Sequence, residues 1–81
     1  MDHFIGLDGH KNRCTFAVLG AKAKHKRKAV IETDAQALLD FIKQVPGRRR
    51  LCTEEGTYSQ WLFEILHRHV HDMAIVDGRK Q

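Results

Sequence analysis

With 81 residues, of which 42% are hydrophobic and 30% charged, the chain has room for one small domain and the composition of a folded protein rather than a disordered one. No apolar run nears the ~18 residues of a membrane helix, and no basic stretch runs into a long apolar one as in a secretory leader, so a cytoplasmic protein without a membrane partner is expected. Lys and Arg number 14 against 10 Asp and Glu, a formal net charge of +4, which permits a polyanionic partner without requiring one.

The first apolar run, Phe4-Ile5-Gly6-Leu7, leads straight into Asp8 and predicts a strand over residues 3–8. Gly9-His10-Lys11-Asn12 supplies turn residues, and a second strand over 13–19, rich in β-formers, completes a hairpin. After Gly20 and a basic connection over 21–26, residues 27–32 predict a third strand at a sheet edge, where Lys and Arg discourage pairing with another chain. The period then changes: Ala35, Leu38, Leu39, Ile42 and Val45 recur at helical spacing, with Thr33 and Gln36 as a capping box and Pro46-Gly47 as the stop. A fourth strand over 49–53 carries the chain to Glu54. A second helix follows, with Leu62, Ile65 and Leu66 on one side and Thr57 and Gln60 as its capping box. Its last turn is expected to hold His67, Arg68, His69 and His71, favourable at the negative end of the helix dipole when charged. Met73-Ala74-Ile75-Val76 predicts a short fifth strand ending at Asp77.

The order strand, strand, strand, helix, strand, helix, strand joins three strands by tight links and two through helices. Tight links make an antiparallel meander and helical crossovers make parallel pairs, so the expected fold is a single α/β (α+β) domain over 1–81 built on a mixed five-stranded sheet. Strands one, four and five can then run parallel, bringing Asp8, Glu54 or Glu55, and Asp77 to one end of the sheet, where ligands of open α/β sheets gather. Hard divalent cations take oxygen ligands and keep several waters, so one or two carboxylates plus a substrate phosphate suffice to hold one. Asp8 before Gly9 reads equally as a turn cap, and Glu54-Glu55 as acids suited to a helix start.

The segments Ile5-Gly6-Leu7-Asp8-Gly9-His10-Lys11, Thr15-Phe16-Ala17-Val18-Leu19 and Glu54-Glu55-Gly56-Thr57-Tyr58-Ser59-Gln60-Trp61-Leu62 resemble the DEDD-type transposases of bacterial insertion sequences. The N-terminal catalytic domain of that family is similar to the Holliday-junction resolvase RuvC. The resemblance runs in order along essentially the whole chain. It implies a ribonuclease-H-like fold and Mg²⁺- or Mn²⁺-dependent cleavage and joining of DNA strands, with Asp8 as the first of the family's four acids. Glu54 is the better match to the second, with Glu55 its rival; Asp8 and Glu54 are the implied metal ligands. The family's last two acids lie further along a longer chain, which implies an N-terminal fragment that binds metal weakly and does not cut DNA alone. A structured RNA is an implied partner of some members. Gly9 stands where the family often has a larger apolar residue, and a loosened strand end is expected there.

Two basic clusters, Lys22, Lys24, Lys26, Arg27 and Lys28, and Arg48-Arg49-Arg50, read either as solvated loops or as phosphate contacts. Lys11, Lys22, Lys24, Lys26, Arg27, Arg48 and Arg49 are the candidates for contact with DNA. His67 and His71, four apart, invite a zinc reading that no nearby Cys or Glu completes. Tyr58 and Trp61 read as packing residues before stacking ones, and Cys14 and Cys52 as buried reduced thiols. Two other readings stand beside the transposase one. An actin-like ATPase or sugar-kinase fragment also opens with a strand-end Asp, but His10-Lys11-Asn12 is unlike its phosphate loop. A non-catalytic module would leave one sheet face without a helix, covered in a homodimer by a second copy.

Overall fold

The computed structural model describes residues 2–20 and 26–77. Its elements are β1 (Asp2–Gly9), β2 (Arg13–Leu19), β3 (Lys26–Glu32), α1 (Ala35–Gln44), β4 (Arg48–Glu54), α2 (Ser59–Leu66), a 3₁₀ turn (His67–His69) and β5 (Asp72–Val76). The element order is the expected one, and the fold is α+β with a five-stranded mixed sheet and two helices.

The sheet order is β3-β2-β1-β4-β5, with β1 central. β2 runs antiparallel to both neighbours, whereas β4 runs parallel to β1 and β5 parallel to β4. The two helical crossovers, β3 to β4 and β4 to β5, therefore step the same way across the sheet. Right-handed crossovers that step the same way lay both helices on one face. Burial agrees: Ile5, Leu7, Phe16, Val18 and Leu51 alternate inward and are covered by Leu38, Phe41 and Ile42 of α1 and by Leu62 and Leu66 of α2. Phe16 and Phe41 stack with ring centroids 4.5 Å apart. The alternate residues of every strand point to the opposite face, which carries no helix among the described residues.

The helix ends correct the expected caps. α1 is capped by Asp34, not Thr33: Asp34 Oδ2 accepts from the Ala37 N–H at 3.0 Å, while Gln36 donates to Asp40 instead of closing a box. Thr33 is engaged elsewhere, its hydroxyl donating to the His10 carbonyl at 2.7 Å. At α2 neither Thr57 nor Gln60 caps; Tyr58 holds the cap position without a side-chain bond. The Ser59 hydroxyl donates to the Gly56 carbonyl at 2.9 Å instead. α1 ends at Val45, whose N–H reaches the Ile42 carbonyl, and Pro46 and then Gly47 at φ 72° turn the chain, a backbone angle that suits a residue without Cβ.

Gly9 also has a different role from the expected loosening. A Cβ there would stand 2.7 Å from Leu62 Cδ1, so the glycine lets α2 close down over the end of β1. Of the thiols, Cys14 is buried as expected, but Cys52 faces outward on the helix-free side; both are free. The Thr33 hydroxyl spends its one proton on His10, so the Cys14 S–H is the donor in their 3.3 Å contact.

Candidate metal and nucleic-acid site

The β1–β4 register brings the two leading acids together. Leu7 pairs with Thr53, and one further step along both parallel strands sets Asp8 beside Glu54. Leu7 and Thr53 point into the core, so by strand alternation Asp8 and Glu54 share the helix-free face, and both are exposed. The buried Thr53 hydroxyl donates to the Leu7 carbonyl at 2.7 Å and ties the strand ends just beneath the acids. Glu55 lies past the ladder, where its N–H donates to the Val76 carbonyl at 2.8 Å; register favours Glu54 as the acid that accompanies Asp8. Asp77 directly follows β5, so its backbone reaches the same end of the sheet.

Asp8 has a neighbour in the hairpin loop, which the sequence offered only as a turn residue. The His10 Nε2–H donates to Asp8 Oδ2 at 3.2 Å. The loop carrying His10 is held at three points: its N–H to the Arg13 carbonyl at 3.2 Å, its carbonyl to the Thr33 hydroxyl, and the Asn12 carbonyl to the Thr33 N–H at 3.0 Å. Thr33, chosen from the sequence as a helix cap, thus fixes the hairpin tip beside the acid. A shallow hollow of about 570 Å³ lies along this tip, lined by His10, Lys11, Asn12, Arg13, Thr15 and Val30.

The basic candidates do not form one patch. Lys22 and Lys24 lie outside the described residues. Lys26 and Lys28 point to the helix-free face, whereas Arg27 lies over the Phe41 ring at 5.5 Å on the other side. Arg48 and Arg50 flank Asp2 at 3.8 and 3.4 Å, and Arg50 also approaches Asp72 at 3.9 Å. Arg49 is committed to the fold. Its guanidinium donates to the carbonyls of Val45 at 2.7 Å, His69 at 3.0 Å and Lys43 at 3.2 Å, binding the end of α1 and the 3₁₀ turn to β4. Lys11 remains exposed at the hairpin tip, three residues after Asp8.

The histidine-rich segment is not the end of one helix. α2 stops at Leu66; His67 donates to the Phe63 carbonyl at 2.8 Å and stacks on the Phe63 ring, while His71 accepts from the Arg49 N–H at 3.3 Å. Among the described residues no group of three or more His, Cys, Asp or Glu converges to hold a metal. The Asp8–Glu54 pair offers two hard carboxylates on one face, a donor set that suits a partly hydrated Mg²⁺ or Mn²⁺ completed by a phosphate, not a closed protein cage. Tyr58 and Trp61 pack against the core, as expected. No helix among the described residues is long and apolar enough to cross a membrane. No family model matches the chain, and neither does any curated protein.

Proposed function

We propose that this chain contributes the first two acids of a ribonuclease-H-like, RuvC-related centre that cuts and joins DNA strands, as in the DEDD transposases it resembles. The observation that carries the reading is the placement of Asp8 and Glu54 on adjacent parallel strand ends, same face up, in a mixed sheet with the expected element order. A bound Mg²⁺ or Mn²⁺ would supply charge stabilisation to the attacking and leaving oxygens of a phosphodiester. Asp8 and Glu54 hold the cation's side of the site, His10 orients the Asp8 carboxylate, and Lys11 takes a non-bridging phosphate oxygen. Two carboxylates bind a hard cation weakly, and the cutting and joining chemistry requires further acids beside them. A second reading, a non-catalytic interaction module, draws on the helix-free sheet face.

Mn²⁺ titration followed by paramagnetic resonance tests the assignment. Asp8→Asn and Glu54→Gln each weaken binding at least about tenfold, a loss of about 1.4 kcal/mol, and Glu55→Gln leaves it unchanged. Equal binding by the Asp8→Asn variant overturns the site. Incubated with supercoiled plasmid and Mn²⁺, the chain binds DNA without nicking it; robust nicking that persists in Asp8→Asn places the chemistry elsewhere.

A further inference from the structure

The face without helices has an apolar centre set between charged rows. Phe4 is 48% exposed, Val30 60% and Val76 43%, and all three lie on it. Between them run Gly6, Ala17, Leu19, Cys52 and Ala74, floored by a hollow of about 440 Å³. An apolar centre with a charged rim is the make-up of a protein interface.

One pair of charges at the edges of this face, Lys26 and Asp72, is complementary between two copies. β1 is the middle strand, with β3 at one edge and β5 at the other. A two-fold axis lying parallel to β1 between two copies lays β3 of each over β5 of the other. By register, the rows that meet are then Lys26 with Asp72 and Val30 with Val76, while Phe4 meets Phe4 on the axis. Strands of the two sheets stay aligned, as in face-to-face sheet packing, and a Lys side chain spans the offset that sheet twist introduces. Five strands about 4.8 Å apart and about 20 Å of strand length give roughly 500 Å² in plan per copy. The two copies together reach about 1,000 Å², the threshold of a specific interface. Two like-charge meetings fall on the axis, Asp8 with Asp8 at one rim and Asp2 with Asp2 at the other, the second offset by Arg48 and Arg50 beside each Asp2.

We propose that this face is the interface of a symmetric homodimer with the two-fold axis along β1. The proposal does not rest on the metal reading, because it uses Lys26, Asp72, Phe4, Val30 and Val76, and Asp8 only as a source of repulsion; since the interface covers Asp8 and Glu54, the dimer and a DNA-bound centre exclude one another.

Sedimentation from about 1 µM to about 1 mM in metal-free buffer, with circular dichroism to check folding, tests it. The chain sediments as a dimer at the upper end. Lys26→Glu and Asp72→Lys each weaken the dimer at least about tenfold, the double variant restores it, and Asp8→Asn tightens it several-fold. A chain that is monomeric throughout overturns the proposal, as does a dimer that Lys26→Glu leaves unaltered or that the charge swap does not restore. A single-stranded oligonucleotide added to the sample separates the other occupant: if it binds a monomer and Phe4→Glu abolishes that binding, the face belongs to nucleic acid and the dimer is refuted. Loss of Mn²⁺ binding in Asp8→Asn, with the dimer intact or tightened, leaves both proposals standing.

Discussion

Gly9 and Arg49 show how much a single residue can hold in this fold. Gly9→Ala forces a methyl against Leu62 Cδ1 at 2.7 Å in a nearly closed core. The expected cost is about 1–3 kcal/mol in urea unfolding, falling below about 0.5 kcal/mol in a Leu62→Ala background where the obstructing atom is gone. Arg49→Ala leaves three carbonyls without their donor and is expected to cost about 2 kcal/mol. Its neighbour Arg48→Ala changes stability by under about 0.5 kcal/mol, since that side chain is exposed and only 3.8 Å from Asp2. Three consecutive arginines look alike in a sequence. Strand alternation separates them, sending the middle one to the helix side, where helix ends present unpaired carbonyls. That distinction was within reach of the sequence once 49–53 is taken as a strand; what was not is which carbonyls wait there, because Lys43, Val45 and His69 come together only through the tertiary fold.

At the scale of elements, the apolar pattern located every strand and both helices; for β1, β2, β4 and the helices the residues that define it are those the core buries, whereas β3 and β5 showed as short runs whose residues stay partly or fully exposed. Ile5 and Leu7, Phe16 and Val18, Leu38 and Ile42 all lie in the core. Capping was less legible. Thr33 and Asp34 are both good N-cap residues, and the sequence does not reveal that the first is drawn away by the His10 carbonyl. The two residues should therefore separate by variant. Asp34→Ala loses about 1 kcal/mol of stability through α1. Thr33→Val keeps α1 but releases the hairpin tip, which appears as faster amide hydrogen exchange at His10 and weaker Mn²⁺ binding at Asp8. Equal protection of His10 in wild type and Thr33→Val would show that the hairpin holds itself. The acids at the strand ends were legible for the same reason as the strands. Asp8 and Glu54 each close an apolar run, and parallel pairing then sets them side by side; the choice between Glu54 and Glu55 needed the register.

For the whole molecule, the direction of the crossovers decides more than any one contact. Because β3 to β4 and β4 to β5 step the same way, all helical cover among the described residues falls on one side and the acids open onto the other. If two copies join there, thermal stability becomes a function of protein concentration. The melting temperature should rise by several degrees between about 10 µM and about 1 mM, and this rise should vanish in Lys26→Glu. The central place of β1 has another consequence, in time rather than space. β1 is made first, but one of its two edges stays open until β4 arrives, and the bond that ties Thr53 to Leu7 spans 46 residues of chain. During synthesis the hairpin of β1 and β2 emerges with an unpaired hydrogen-bonding edge in what becomes the middle of the sheet, a template for any passing strand. At about 5–20 residues per second the ribosome leaves that edge open for several seconds. The nascent chain, not the finished protein, is thus the form most in need of a chaperone.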